Sequence, residues 1–492
     1  MGDGVHTPGL YAEEDVVGHW TFPGPNGTIR VSGGGLEVAL AMPAGRAVVV
    51  GSGMAGLFST RVLSDCFDEV VLIDRDNIPE APSTRAGVPQ GRHFHALLPG
   101  GLNIARDLFP GFTEDLEAAG AVKCVAGQDF CAFRPEGKSY ALAVYQPEPK
   151  PMGIIYFMSR ALLEDCVRRR VEALPNVRTR YRSVVREPLI DGERVTGVIV
   201  DGGEPIPAEL VVDATGRNAR TVRWLTTLGF EAPAESVIHC DFAYASAVLR
   251  PRDPRAFGGA GFFVLPNPES RYNVRGAYLV RIEGDNWLAG LGGRFGDFPP
   301  TDLEGWRDFG RTLAWPIWDE MVNTAEPVTD PAPFRFPRAV RRHFERLERF
   351  PDGLVPLGDA ICHYNPLYGQ GMSAAACQAR ALGELLKQRT RESRDLCGLA
   401  LEFFPQAYEV TRTPWALAAA ADFQDARNTG DFPAEELDSL GMFLVLGTLA
   451  ETDPEAAQLM SDIVSLARPF AALHESPWRE RLAPSAATPT LP

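Results

Sequence analysis

The chain has 492 residues, 45% of them hydrophobic, which is enough for two or three interlocked domains whose cores can enclose a large cofactor. Lys and Arg number 48 against 64 Asp and Glu, a formal net charge of −16, and no stretch concentrates basic residues, so we expect no nucleic-acid partner. The eight cysteines are scattered without a CxxC pair and the histidines do not cluster, which predicts reduced thiols, a cytoplasmic setting and no metal site.

The two ends of the chain carry little patterning. Residues 1–44 are rich in Gly and Pro and are predicted to form an N-terminal extension without a secretory signal, and residues 481–492 are predicted to be a disordered tail. No apolar run reaches the roughly 18 residues of a membrane-spanning helix. The longest candidate, Leu440 to Leu449, is read as a core helix in preference to a lipid-surface contact.

A dinucleotide-binding pattern follows the extension. The strand AVVV leads into Gly51, Gly53 and Gly56 of a GxGxxG turn, a helix runs through Leu63, and a second strand, VVLI, ends at Asp74. In such a unit the glycines allow a tight turn, a close pyrophosphate and close helix packing, while the acidic residue accepts hydrogen bonds from a ribose. The alternative is a plain glycine turn, but the flanking strand and helix favour a dinucleotide site.

The remaining elements alternate between two sheet types. A helix is predicted from residue 159 to 174, strands around 195–200 and 210–212, and a short helix near Trp224. Residues 239–295 are predicted to form a mainly antiparallel sheet. A strand at 353–360 then precedes a helical region to about residue 472, broken near 427–432 and near Thr452.

Five sequence blocks occur in one order: GSGMAG with DRD, RAGVPQGRHFHALL at 85–98, SRALLE at 159–164, VVDATGRNAR at 211–220 and LGDAICHYNPLYGQGMS at 357–373. On these blocks, residues 46–390 resemble the FAD-dependent monooxygenases of the para-hydroxybenzoate hydroxylase superfamily. Within it, the chain resembles most the squalene-epoxidase-like and polyether (monensin-type) polyene epoxidases.

The resemblance implies a mixed α/β (α+β) fold in which a Rossmann-like FAD-binding domain is interleaved with an antiparallel-sheet substrate domain and followed by a helical region. The expected boundaries are 45–115, 155–228 and 345–395 for the FAD-binding domain, 116–154 and 229–344 for the substrate domain, and 396–480 for the C-terminal helices.

The same resemblance implies a set of FAD contacts. Arg85 is expected at the phosphate and ribityl region, Arg160 is a second arginine contact, and Asp359 is expected to accept a hydrogen bond from a ribityl hydroxyl. The helix beginning near Gly371 would direct its positive end toward the flavin ring. The full predicted set is Gly51, Gly53, Met54, Ala55, Gly56, Asp74, Arg75, Arg85, Arg160, Gly358, Asp359, Pro366, Gly369, Gly371 and Met372.

The chain departs from the aromatic hydroxylases at Thr215. Where many of them have Asp-Gly, this chain has Thr215-Gly216, and Asp213 before it is a candidate strand-end cap. In those relatives the Asp-Gly pair serves both FAD and the nicotinamide donor, so its replacement argues against direct reduction by NADPH. NADPH or NADH is the expected electron source, with a separate flavin reductase as the alternative route.

Catalytic side chains are not identified by the sequence. His93 and His95 lie in a block that resembles a flavin-adjacent loop, and ordinary loop histidines are an equally good interpretation. In this chemistry a flavin C4a-hydroperoxide carries the reactive oxygen, so the protein mainly positions the substrate and excludes water.

Several aromatic residues lie in the predicted strands. Either a substrate pocket or plain core packing explains Phe242, Tyr244, Phe262, Phe263, Tyr278 and Trp287. Trp315 and Trp318 do not form the WxWxIP signature of flavin-dependent halogenases, which makes halogenation a weak hypothesis.

These observations predict a monooxygenase that uses O2 to epoxidise alkenes of a hydrophobic polyketide or isoprenoid in secondary metabolism, such as antibiotic biosynthesis. Aromatic ring hydroxylation, double-bond reduction of the geranylgeranyl reductase type and noncatalytic flavin binding remain alternatives. The sequence leaves the substrate and the oligomeric state open.

Overall fold

The computed structural model describes residues 45–125, 130–134, 138–140, 154–253, 259–264, 266, 274–313 and 315–482. The chain divides into residues 1–41 and 42–492, and everything described below belongs to the second unit. The predicted extension 1–44 lies outside the described residues, as do residues 483–492 of the predicted tail and 141–153 of the predicted substrate domain.

Twenty strands occur in the described ranges. In chain order they are β1 (Arg46–Val50), β2 (Glu69–Ile73), β3 (Val122–Val125), β4 (Phe130–Arg134), β5 (Lys138–Tyr140), β6 (Ile154–Phe157), β7 (Val177–Arg180), β8 (Val185–Asp191), β9 (Arg194–Val200), β10 (Pro205–Pro207), β11 (Leu210–Asp213), β12 (Glu235–Arg250), β13 (Gly261–Val264), β14 (Gly276–Ile282), β15 (Asn286–Arg294), β16 (Glu326–Pro327), β17 (Ala332–Arg342), β18 (Leu354–Pro356), β19 (Cys362–His363) and β20 (Thr429–Gly430).

Twelve α-helices accompany them in the same part of the chain. They are α1 (Met54–Ser64), α2 (Pro99–Leu108), α3 (Phe112–Ala118), α4 (Arg160–Glu172), α5 (Arg220–Thr227), α6 (Leu303–Arg311), α7 (Pro316–Thr324), α8 (Gly371–Arg391), α9 (Leu399–Asp422), α10 (Leu437–Leu449), α11 (Pro454–Val464) and α12 (Trp478–Arg481).

A five-stranded sheet in the order β18-β11-β1-β2-β7 carries the predicted dinucleotide unit. All its pairings are parallel, and β1, β2 and β11 are runs of buried Val, Leu and Ile. Strands buried on both faces need cover on both sides. Helix α1 packs against β1, β2, α4 and α8, and β9 of the three-stranded antiparallel sheet β10-β9-β8 contacts β11. The parallel sheet predicted from the first βαβ pattern is therefore confirmed.

The large sheet runs in the order β19-β17-β12-β15-β14-β13-β4-β5, and β16 and β20 also pair with β12. Its longest strand, β12, pairs antiparallel with both β15 and β17. One pairing departs from this pattern, because β13 and β4 run parallel. The mainly antiparallel sheet predicted for 239–295 is present, and the mixed α/β fold class is confirmed.

The C-terminal region is helical, as predicted. Helices α9 and α10 are separated near the predicted break at 427–432, and α10 and α11 are separated near Thr452. Leu440, Met442 and Leu446 of α10 are buried, whereas Leu444 on another face is exposed, so the core-helix prediction is confirmed for one face only. None of the described helices is long and apolar enough to cross a membrane.

Candidate active site

A cavity of about 1670 Å³ lies between the carboxyl ends of the parallel strands and the large sheet. Ordinary single-ligand pockets have ~300–1,000 Å³, so this cavity has room for a large cofactor and a substrate together. We call the part lined by residues following β1, β2, β11 and β18 the strand-end half. The aromatic half is lined by Phe242, Tyr244, Phe263, Tyr278, Phe334 and Phe336.

The glycine turn after β1 has the geometry expected of a phosphate-binding turn. Gly51 has a φ of +100°, and a Cβ on Gly56 would lie 1.7 Å from the Gly51 carbonyl oxygen. Both positions therefore require glycine. A Cβ on Gly53 would meet no atom within 4 Å, and Gly53, Met54 and Ala55 line the cavity where α1 begins. This arrangement leaves open space in front of the helix N-terminus for a phosphate.

Asp74 lies beside this turn, after β2. Its Oδ2 accepts hydrogen bonds from the Ser52 backbone N–H and hydroxyl, both at 2.6 Å, and its Oδ1 accepts from the Asp76 N–H at 2.8 Å. The carboxylate lines the cavity but is only 7% exposed. It can hold a ribose only with the lone pairs that these protein donors leave free.

Arg85 and Arg160 lie in a buried ion network in the same wall. Arg85 contacts Asp76 at 2.8 Å and Glu164 at 2.6 Å, with Asp74 at 3.4 Å. Arg160 contacts Glu164 at 2.8 Å, and its Nη1 is buried with no hydrogen-bond partner in the described structure. Burial acts to lower the pKa of Arg85, but Glu164 and Asp74 overcome it and raise the pKa. Arg75 is exposed on the cavity rim.

Asp359 lines the strand-end half just after β18. Its neighbour Gly358 donates its N–H to Gln378 Oε1 at 2.8 Å, and a Cβ there would lie 2.6 Å from the Ala55 Cβ. The β18 turn thus packs directly against the glycine turn. Burial raises the pKa of Asp359 to about 6, although Arg217 and Arg342 oppose the change.

The loop from Pro366 to Met372 forms another edge of the cavity. It contains Gly369, and α8 begins at Gly371 as predicted. Asn365 caps the turn by accepting the Leu367 N–H at 3.1 Å. The N-terminus of α8 therefore borders the cavity.

Asp213 has the capping role predicted for it. Its Oδ1 accepts from the Thr215 N–H and hydroxyl, and its Oδ2 accepts from the Thr221 N–H and hydroxyl. Asp213 is fully buried, whereas Thr215 lines the cavity. The Thr215 hydroxyl is thus directed at Asp213.

The predicted aromatic residues divide between the cavity and the core. Phe242, Tyr244, Phe263 and Tyr278 line the cavity. Phe262 stacks on Trp287 at 5.9 Å and contacts Trp315, and Trp306 contacts Trp318, in a separate hydrophobic core. Because Phe262 and Phe263 are consecutive in β13, they lie on opposite faces of the sheet, which explains the division.

A hydrogen-bonded bridge connects the His93 loop to the large sheet. The Phe94 N–H donates to the Tyr278 hydroxyl at 3.0 Å, Tyr278 lies 2.6 Å from the Ser246 hydroxyl, and Ser246 lies 2.7 Å from His93 Nδ1. The Tyr278 ring packs against Gly290, where a Cβ would lie 2.2 Å from the ring. Ser246 and Gly290 were not identified by the sequence analysis.

Both candidate histidines line the cavity in neutral form. Burial, with His95 and Arg92 nearby, lowers the pKa of His93 to about 3. Burial, with Arg160 nearby, lowers the pKa of His95 to about 4, and its Nδ1 lies 3.0 Å from the His93 carbonyl oxygen. At neutral pH neither imidazole is protonated to imidazolium, so neither histidine can act as a cationic proton donor.

A second polar centre, also missed by sequence analysis, joins three regions. Asp422 at the end of α9 accepts from Arg294 at 2.8 Å, from Asn365 at 3.0 Å and from the Tyr368 hydroxyl at 2.8 Å. Arg294, Asn365 and Tyr368 line the cavity, whereas Asp422 is 1% exposed. Asn365 and Tyr368 lie within a recognised sequence block, but no local pattern marks Asp422.

Metal-binding geometry is not found in the described part of the chain. No group of three or more His, Cys, Asp or Glu residues there is arranged to hold an ion. The seven cysteines whose side chains are described form no disulfide.

Comparison with known proteins gives one close sequence relative. No family model matches the sequence. Protein Rv3254 of Mycobacterium tuberculosis (strain ATCC 25618 / H37Rv) is 33% identical over 428 residues, which cover 85% of this chain and 88% of that protein.

Solved structures share the fold at low identity. The flavin-dependent brominase Bmp2 has a TM-score of 0.61 and 17% identity, with 86% of this chain and 93% of Bmp2 covered. PqsL, a probable FAD-dependent monooxygenase from Pseudomonas aeruginosa, has a TM-score of 0.52 and 16% identity, with 78% of this chain and all (100%) of PqsL covered. The architecture is thus that of known flavoproteins.

Proposed function

The chain belongs to the same family as Protein Rv3254, and from its fold and its cavity we propose that it is an FAD-dependent monooxygenase acting on a hydrophobic small molecule. One observation carries the proposal: a phosphate-type glycine turn and a pocket lined by aromatic rings open into a single cavity of about 1670 Å³. A dinucleotide and an apolar substrate would meet there. The names of Bmp2 and PqsL, two flavin-dependent enzymes of the same fold, support this proposal.

The strand-end half fits the dinucleotide. The open space at Gly53 and the α1 N-terminus would take the pyrophosphate, and Asp74 would approach the adenosine ribose. Asp359 would accept a hydrogen bond from a ribityl hydroxyl. Met372 and the α8 N-terminus would border the flavin ring. The unpartnered Nη1 of Arg160 would find an acceptor on the cofactor.

Bound FAD would supply the activation of O2 and the electrons for its reduction. The chain's own residues would hold the substrate and exclude water. Phe242, Phe263 and Phe334 present apolar surface, and the neutral His93 and protonated Tyr278 add no charge to that half. The aromatic rings of this half favour a hydrophobic substrate.

We propose epoxidation of an alkene as the reaction, with a hydrophobic polyketide or isoprenoid as the substrate class. An alkene needs no side chain to remove a proton before it accepts oxygen, which agrees with the low pKa values of His93 and His95, since imidazoles of such low pKa are weak bases. Ring hydroxylation of an aromatic is the alternative. Trp315 and Trp318 lie in a core away from the cavity, so they give no support for halogenation.

Labelled oxygen tests the proposal. Purified protein should carry FAD noncovalently, and turnover of a polyene under labelled O2 should place one labelled atom in an epoxide and the other in water. The product mass rises by that of one oxygen atom. An unlabelled product, or equal turnover without O2, would contradict the monooxygenase proposal while leaving FAD binding intact.

A further inference from the structure

Four tyrosines in the described part of the chain line the cavity, and their hydroxyls differ in their surroundings. The hydroxyls of Tyr278 and Tyr368 are hydrogen-bonded to protein side chains, at 2.6 Å and 2.8 Å. The Tyr364 oxygen is enclosed by protein atoms. The Tyr244 hydroxyl is not enclosed in this way and forms no hydrogen bond with a described residue. Among the described residues, Tyr244 is therefore the tyrosine whose hydroxyl is both unpartnered and open to a ligand.

The Tyr244 hydroxyl lacks an acceptor in a place that water reaches poorly. The residue is only 7% exposed. Burial, with Tyr278 nearby, raises its pKa, so the phenol keeps its proton at neutral pH and can only gain by donating it. A hydroxyl removed from water without a hydrogen bond is unfavourable, and buried tyrosines usually find a partner. A ligand oxygen in the cavity would supply the missing acceptor.

Aromatic neighbours hold the Tyr244 ring in place. Its centroid lies 4.3 Å from that of His93, with the two rings nearly perpendicular at 83°, and 5.4 Å from those of Phe242 and Phe334. His93 is itself held by Ser246 at 2.7 Å, in the bridge described above. A side chain that is fixed before the ligand arrives loses little freedom on binding, so its hydroxyl can select for the position of an acceptor.

The sheet beside Tyr244 carries two glycines on its cavity face. Gly292 of β15 is the cross-strand partner of Tyr244, and Gly276 of β14 is the partner of Gly292, so all three lie on one face. Both glycines line the cavity. Because β15 pairs with a strand on each side, its backbone N–H and C=O groups are occupied within the sheet. The surface at Gly292 is therefore flat and offers no further donor, which suits a planar group such as a conjugated carbonyl.

We propose that the Tyr244 hydroxyl donates a hydrogen bond to a carbonyl oxygen of the substrate. The inference rests on the proposed function and narrows its substrate class to an oxygenated polyene of the polyketide kind, in preference to a hydrocarbon isoprenoid. The rings of Phe242 and Phe334 would hold the apolar part of the substrate. The hydrogen bond would fix which double bond lies toward the cofactor, so Tyr244 determines specificity and takes no part in the chemistry.

The variant Tyr244→Phe tests this, because it removes the hydroxyl and keeps the ring. FAD-loaded protein is titrated with geranylacetone, a polyene ketone, and with the hydrocarbon in which a methylene replaces the carbonyl, and the flavin absorption reports binding. Tyr244→Phe should lose about tenfold in affinity for the ketone and keep the wild-type affinity for the hydrocarbon. Tyr181→Phe is the matched control, because Tyr181 lies outside the cavity lining and its hydroxyl donates to Glu172.

Two results would overturn the inference while leaving the proposed function intact. One is a Tyr244→Phe protein that binds the ketone as tightly as wild type does. The other is an equal loss for the ketone and the hydrocarbon, because the variant would then have lost ring packing and not a hydrogen bond. A wild-type chain that holds no FAD, or that binds neither probe, would refute the proposed function itself, and the inference would fall with it.

Discussion

At Gly53 an added side chain would meet no protein atom within 4 Å, because the residue faces the open part of the cavity. We therefore expect Gly53→Val to fold, with a loss of about 1 kcal/mol at most from the poorer helix N-cap, but to lose the visible flavin absorption after dialysis, since the new side chain fills the space of the pyrophosphate. Gly447→Val, on α10 and equally free of neighbours, is the control and should keep its flavin. Full flavin content in Gly53→Val would show that the phosphate lies elsewhere.

Asp359 makes the stability of the cofactor-free protein depend on pH. Its pKa in the folded state, about 6, is above its ordinary 3.8, so folding favours the protonated carboxyl. This stabilisation is complete below about pH 4 and is lost as the pH rises through 6. Relative to Asp359→Asn, wild type should lose on the order of 2 kcal/mol between about pH 4 and pH 7 in denaturant unfolding. A constant difference between the two proteins would refute this.

Thr215 leads to a prediction about how the bound flavin is reduced. Its hydroxyl donates to Asp213 at 2.6 Å, at the position where the resemblance to the aromatic hydroxylases would imply an aspartate that serves the nicotinamide donor. We expect NADPH alone to reduce the bound flavin slowly and an added flavin reductase to speed turnover. Stopped-flow reduction measures this, with Thr215→Ser as the control that keeps the hydroxyl. Rapid reduction of wild type by NADPH without a partner would contradict a two-component system.

The sequence was informative about single residues where backbone geometry dictates the residue type. Gly51 and Gly56 could be predicted because only glycine fits there, and the capping by Asp213 follows from its place at a strand end. Asp422 could not be predicted, because its partners Arg294, Asn365 and Tyr368 lie 54 or more residues away along the chain.

At the scale of secondary-structure elements, Gly290 of β15 leaves room for the Tyr278 ring of the neighbouring strand β14. A methyl group at Gly290 would lie 2.5 Å from the Tyr278 hydroxyl oxygen, so Gly290→Ala should displace that ring and break the bridge to Ser246 and His93. Overpacking of this kind costs about 1–3 kcal/mol. Denaturant unfolding measures it, and Gly441→Ala, in a helix with open space, should be neutral or stabilising. A stable Gly290→Ala would mean that the ring moves freely.

Element types followed from periodicity, but pairings between distant strands did not. Runs such as EVVLI and the breaks between the C-terminal helices could be read locally. The parallel contact of β13 with β4 depends on residues that are 131 apart in sequence, as in the pair Gly261 and Phe130. No local pattern specifies such a partner.

At the scale of the whole molecule, Asp422 ties the C-terminal helices to both the large sheet and the loop before α8. Asp422→Ala would leave Arg294 buried without its carboxylate, and breaking such a pair costs about 3–5 kcal/mol. Asp425→Ala removes a more exposed ion pair with Arg427 and should cost at most about 1 kcal/mol. Equal effects of the two substitutions in denaturant unfolding would show that Asp422 is not a structural centre.

The strand order of the parallel sheet has a consequence for biosynthesis. Strand β1 pairs with β2 at once, but its other neighbour, β11, begins only at residue 210, and β18 begins at residue 354. At roughly 5–20 residues per second, a ribosome leaves the edge of β1 unpaired for about 10–30 s, and β11 then waits a similar time for β18. A nascent chain is therefore exposed to edge-to-edge aggregation during most of its translation. The cavity wall that contains Asp359 is completed only after the other four strands of the parallel sheet have emerged.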